Sequence, residues 1–183
     1  RRVINPMTAS QYGSLLYPIK NAYAINTGQL NPDQMGIRAI DPQTVEITLE
    51  APAPFLPELL SHYTTYPIPQ HVVEKFGDDW VKPGKMVSNG AYVLQEWVSN
   101  SQVKVTKNPL FYDADNVAID TVYYYPIEDS RTAVKMFKSG EIHMNISTGG
   151  FPAPQIKELL AEMPGEARVY PYLGSSYFPM NTS

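Results

Sequence analysis

Proline sets the first constraint on this chain. Seventeen of its 183 residues are proline, about twice the average usage of 5%. Each one locks φ, withdraws a backbone donor and pushes its predecessor out of the helical region. Helices and central strands cannot run through such positions, so the chain is expected to fold into many short elements joined by long loops. Tyr66-Pro67-Ile68-Pro69 is held extended by these sterics and is the best linker candidate.

Between the prolines, periodicity assigns the elements. Ser10 to Leu16 reads as a short helix. Asp41-Pro42 turns the chain into Thr44-Val45-Glu46-Ile47-Thr48-Leu49, an alternation that places Val45, Ile47 and Leu49 on one face of a strand. Ala51-Pro52-Ala53-Pro54 ends it and leads to a short helix near Phe55 to Leu60. Gln70 to Phe76 reads as a helix stopped by Gly77. Gly90 to Trp97 and Gln102 to Lys107 form a hairpin about Ser99-Asn100, and Thr121 to Tyr125 a strand ended by Pro126. Asp129 or Ser130 caps a helix that carries Val134 and Phe137 and closes at Gly140. Ile142 to Ile146 is expected as a strand. Pro154 to Met163 is expected as a helix with Ile156, Leu159, Leu160 and Met163 in one stripe. Ala167 to Tyr172 and Ser175 to Asn181 read as extended. No internal repeat is evident.

Composition excludes several function classes. The chain is 43% hydrophobic and 17% charged, an ordinary globular balance. Net charge is −4 without a Lys/Arg cluster, which argues against nucleic acid as a partner. No apolar run approaches the roughly 20 residues that span a bilayer. With no cysteine there is no disulfide and no thiolate metal site. The chain opens on Arg1-Arg2 without Met or a signal peptide and stops at Asn181-Thr182-Ser183 after a strand-like run, so a fragment is expected, with any export signal upstream.

No catalytic motif emerges. His62, His71 and His143 lack ligand spacing and read as surface or packing residues. No cofactor is expected. Asp78-Asp79, Asp113/Asp115 and Glu128-Asp129 are candidate carboxylate pairs for a hydrolase; adjacent carboxylates more often point apart and cap backbone amides in turns. Gly13-Ser14 and Gly174-Ser175 lack a nucleophile elbow. The tyrosines are more suggestive. There are 13, and Tyr12, Tyr17, Tyr23, Tyr63, Tyr66, Tyr172 and Tyr177 fall near turns. Tyrosine joins an apolar body to a polar tip, which suits a cleft of mixed chemistry; the alternative is packing at sheet edges.

The stretch from Ser88 to Asp113 carries no chemistry but has a distinctive order: Ser88-Asn89-Gly90-Ala91-Tyr92, a hairpin, then Asn108-Pro109-Leu110-Phe111-Tyr112-Asp113. It stands in line with Asn5-Pro6-Met7-Thr8-Ala9-Ser10-Gln11-Tyr12, Gly36-Ile37-Arg38-Ala39-Ile40-Asp41, Pro67-Ile68-Pro69 with Val73-Glu74-Lys75-Phe76-Gly77, Ser139-Gly140-Glu141-Ile142 and Arg168-Val169-Tyr170-Pro171-Tyr172-Leu173. In this order the segments resemble the bacterial extracytoplasmic solute-binding proteins of family 5, the oligopeptide/dipeptide-binding components of ABC importers.

The resemblance implies a mixed α/β (α+β) fold that is part of a two-lobed clamp, a mixed sheet with flanking helices. Residues 1–66 would belong to a small extra domain, 67–171 to the middle of the first lobe, and 172–183 to a strand crossing the hinge; the second lobe is absent. It further implies a non-enzymatic, monomeric, periplasmic or extracytoplasmic binding component. That component holds a peptide ligand by its backbone between closing lobes and passes it to the membrane subunits of the ABC transporter. Tyr12, Tyr172, Gly174 and Tyr177 match the ligand-facing positions. His143 stands where the family usually has Asp, and Ile146 near a position where oligopeptide binders have Tyr. The acidic residue that grips the peptide amine would lie in the other lobe. Alternatives are another solute of the same family (a nickel complex, haem or an oligosaccharide), a hydrolase using paired carboxylates, or a structural or signalling module that kept the lobe without its ligand.

Overall fold

A computed structural model describes residues 1–146, 153–171 and 180. The chain divides into two compact units, one formed by residues 1–81 and 85–87, the other by 82–84 and 88–183. As the proline content requires, the elements are short: helices α1 (Ala22–Asn26), α2 (Leu56–Leu59), α3 (Gln70–Phe76), α4 (Ser130–Lys138) and α5 (Ala153–Glu162), and strands β1 (Ile37–Asp41), β2 (Thr44–Ile47), β3 (Tyr92–Val98), β4 (Gln102–Lys107) and β5 (Thr121–Tyr124), with several single 3-10 turns between them.

The first unit is built on Ile4, Leu16, Ile19, Ala22, Ile25 and Met35, all buried, with Ile37, Ile47 and Leu49 packed against them. The antiparallel β1–β2 ribbon pairs Ile37 with Ile47. The ribbon is clasped to the preceding loop at Gly36. There the Lys20 N–H donates to the Thr48 carbonyl, the Gly36 N–H to the Lys20 carbonyl and the Thr48 N–H to the Gly36 carbonyl, at 2.9, 2.9 and 2.8 Å. The backbones approach so closely that a Cβ on Gly36 would lie 2.7 Å from the Lys20 Cβ and 2.8 Å from the Thr48 oxygen; the position admits hydrogen only. Asn21 takes the left-handed conformation at φ 65°, its N–H bonded to Glu50 Oε1 and its amide to the Gln34 carbonyl.

In the second unit, β3, β4 and β5 form an antiparallel three-stranded sheet in sequence order. Asn100 occupies the left-handed region at the β3–β4 turn, a conformation that asparagine tolerates at little cost. A bulge between Leu94 and Glu96 shifts the register, after which Glu96 pairs with Lys104 and Trp97 with Val103. Asp129 caps α4 by accepting the Thr132 N–H at 2.7 Å. The caps of the sheet come from the signature stretch itself. Asn108 is buried, its Nδ2 donating to the carbonyls of Ser88 (3.2 Å) and Gly90 (2.8 Å), while its Oδ1 accepts the Leu110 N–H at 3.0 Å.

Several sequence expectations differ from the structure. The helix expected over Ser10 to Leu16 is a 3-10 turn, Gly13–Leu16: Gly13 stands against the Asn26 amide, 3.0 Å from where its Cβ would be, which favours a tight turn there. Ile142 to Ile146 is not a strand. After α4 the Glu141 and Ile142 N–H groups fold back onto the Met136 carbonyl, and the segment pairs with no described strand. Val45, on the same face of β2 as Ile47, is 63% exposed at the ribbon's turn end, beyond the reach of the core. Leu160 is exposed while Leu159 is buried, so the α5 stripe is narrower than its periodicity suggests. Ala167 makes a single bridge to Pro164, and no strand follows in Arg168 to Pro171; Ser175 to Asn181 lies outside the described residues apart from Met180. Helix α1 and strand β1 have no clear periodic signal and were not expected.

Candidate functional site

The segment carrying Tyr12 is shaped by side chains that replace missing backbone partners. Asn5 Oδ1 accepts the Met7 N–H at 3.0 Å and starts the turn Pro6–Thr8, which Ala9 ends in a left-handed conformation at φ 49°. Ser10 Oγ then accepts the Tyr12 N–H at 3.3 Å. Beneath it, Asn26 acts as a clamp, accepting from the Tyr17 hydroxyl at 2.9 Å and donating to the Ile4 carbonyl at 3.1 Å. The backbone before Tyr12 is thereby fixed and its ring projects half-exposed.

The ring meets two aromatic partners from a distant part of the first unit. Tyr12 lies 5.6 Å from His62, tilted at 52°, and 5.6 Å from Tyr63, edge to face at 81°. His62 and Tyr63 lie 4.2 Å apart at 31°. A side-chain hydrogen bond with Tyr12 raises the Tyr63 phenol above its ordinary pKa. His62 Nδ1 accepts the Thr64 N–H at 3.3 Å and caps the turn Tyr63–Thr65. The neutral ring therefore carries its proton on Nε2. A platform of two phenols and an imidazole offers polar tips and apolar edges to a ligand.

Of the residues selected from sequence, Tyr12 is in this cluster, whereas Tyr172, Gly174 and Tyr177 lie outside the described residues. From sequence His62 reads as a surface or packing residue and Tyr63 as one of several tyrosines near turns. Their convergence on Tyr12 has no linear signal, since it depends on the fold of the whole first unit.

An open groove of about 500 Å³ lies in the second unit where the ends of α4 and α5 meet. Phe137, Ile142 and Met163 give it apolar walls, and His143, Glu162 and Glu166 line its polar side. Lys138 is ion-paired with Glu162, which raises the lysine's pKa. The candidate carboxylate pairs serve structural roles: Asp79 binds Lys85 at 2.6 Å, Asp113 accepts the Asn116 amide at 2.6 Å, and Asp129 caps α4. Among the described residues no three His, Asp or Glu side chains gather closely enough to hold a metal ion, and no helix is long and apolar enough to cross a membrane.

Comparison with known proteins decides the family. The model of the bacterial extracellular solute-binding proteins, family 5 (middle), matches residues 1–183. The chain belongs to this family. It is 38% identical over 183 residues to the periplasmic oligopeptide-binding protein OppA of Salmonella typhimurium, covering 99% of this chain and 33% of OppA. It is 37% identical, again over 183 residues, to the probable deoxycholate-binding periplasmic protein YgiS of Escherichia coli, covering 99% of this chain and 34% of YgiS. The solved structure of Haemophilus influenzae OppA in complex with RPPGFSPFR superposes with a TM-score of 0.84 at 33% identity, covering 90% of this chain and 32% of that one. The fold is thus the mixed α/β architecture of a family 5 binding protein, and the chain spans about a third of the length of these relatives. The family is one of solute-binding proteins rather than of enzymes.

Proposed function

We propose that this chain is the portion of an ABC-importer binding component that supplies one wall of an oligopeptide site. It works without catalysis in a periplasmic or extracytoplasmic compartment and delivers peptide to the transporter's membrane subunits. The observation that carries the reading is the likeness to OppA across nearly the whole chain, including a structure solved with a peptide. Residues 1–66 then form part of a small extra domain, 67–171 the middle of the first lobe and 172–183 a hinge-crossing strand. Tyr12, Tyr172, Gly174 and Tyr177 are the ligand-facing positions.

The physics suits a broad specificity. A peptide held by its backbone as an added strand, with side chains in hydrated pockets, is bound without regard to sequence, and closure of two lobes buries it. The likeness to YgiS favours a second reading, a bile-acid-like amphipath on the same aromatic wall.

The test is a melting-shift screen of the intact protein against a peptide library and deoxycholate. A bound ligand at about 100 times its Kd adds roughly 2.7 kcal/mol of stability. Shifts with peptides and none with deoxycholate are expected; a shift with deoxycholate alone moves the assignment to the second reading. Recovery of unaltered peptide by mass spectrometry is expected after long incubation, and cleavage products would overturn the non-enzymatic reading.

A further inference from the structure

We propose that Tyr63 and His62 are positioning residues for Tyr12, holding its ring in place against a ligand of the class represented by a short peptide. The proposal rests on the reading of Tyr12 as a ligand contact.

Tyr12 belongs to no helix or strand; it precedes the turn Gly13–Leu16. The Ser10 hydroxyl fixes its main chain through its N–H but leaves the ring without a local hold. An aromatic ring 44% exposed on a loop would otherwise exchange rotamers, and ordering it would then weigh against binding. The described ring contacts of Tyr12 are those with His62 and Tyr63.

The His62 ring is anchored where Tyr12 is not. The imidazole is tied through Nδ1 to the Thr64 N–H. The turn beneath it is closed by Thr65 Oγ1, which donates to the carbonyls of Leu60 at 2.7 Å and His62 at 2.8 Å. His62 and Tyr63 lie 4.2 Å apart with their rings tilted by 31°, so they form one aromatic shelf on which Tyr12 leans.

Trialanine binding to the intact protein, measured by calorimetry beside a thermal melt, tests this. Tyr63→Leu, which removes the ring, is expected to weaken trialanine about threefold to tenfold, the range to which an aromatic edge contact converts. It should have no further effect in a Tyr12→Ala background. His62→Asn, which keeps a capping acceptor and removes the ring, should weaken binding similarly and serves if Tyr63→Leu fails to fold. Tyr63→Phe, which keeps the ring, should restore the affinity of the wild type. If Tyr12→Ala leaves trialanine affinity unchanged, or if the wild type does not bind trialanine, the ligand reading of Tyr12 falls and the proposal with it. If Tyr12→Ala weakens binding while Tyr63→Leu and His62→Asn do not, or if Tyr63→Phe weakens it as much as Tyr63→Leu, the positioning role alone is overturned.

Discussion

Asn108 donates its side-chain amide to the Gly90 carbonyl at 2.8 Å, joining the entry of strand β3 to the exit of strand β4. The same side chain takes the Ser88 carbonyl and the Leu110 N–H, and its own N–H bonds the Ala91 carbonyl at 2.8 Å. One buried amide thus satisfies the loose backbone groups at the open end of the hairpin. This gives a physical reason for the fixed order of Ser88-Asn89-Gly90 and Asn108-Pro109.

Asn108→Ala removes a buried amide that serves two carbonyls and an N–H. The expected cost is about 2–3 kcal/mol, read as a lower urea midpoint of the intact protein. An unchanged midpoint would show that water replaces the amide freely.

Gly36→Ala is expected to destabilise by about 1–3 kcal/mol, because the added carbon meets backbone and a Cβ rather than a flexible side-chain end. Chemical denaturation with Gly28→Ala as the comparison isolates the cause. Gly28 has open space but a φ of 79°, so its loss reports backbone strain and Gly36 reports steric overlap. Equal Tm for Gly36→Ala and wild type would refute the close approach.

Asp129 has a carboxyl held below its ordinary range, first by the Thr132 N–H and then by the Thr132 hydroxyl. A lowered folded pKa contributes stability that is present above the unfolded value of about 3.9 and lost as pH falls through the folded one. Asp129→Asn should therefore keep helix α4 at neutral pH and flatten the acid limb of the stability curve. Asp129→Ala should lower Tm at pH 7 through loss of the cap. Circular dichroism melts between pH 2 and 7 compare the three, and an acid limb identical in wild type and Asp129→Asn would remove Asp129 from it.

Tyr12→Ala in the intact protein is expected to weaken peptide binding about tenfold or more with little change in Tm, since the ring is half-exposed and lies outside the buried core. Calorimetry beside a thermal melt separates the two effects. Unchanged affinity would take Tyr12 out of the site.

The sequence was most legible where local physics dominates. Helix α3 ends at Gly77, whose φ of 55° suits glycine, and α4 begins at the Asp129 cap and closes before Gly140 at φ 79°. The β3–β4 hairpin followed from alternation and a turn that asparagine tolerates. Ile142 to Ile146 misled because a short apolar run has the same pattern whether or not a partner strand lies beside it. Strand β1 was missed because most of it is exposed and its alternation is weak.

Sequence alone determined the short-element architecture, through proline, and the family, through segments whose order is itself a linear property. Tertiary structure decided what surrounds Tyr12. Ring contacts at 5.6 Å arise only when the turn at His62 is brought to the loop at Ser10 by the packing of the first unit. That proximity is set by the whole core, which no local pattern encodes.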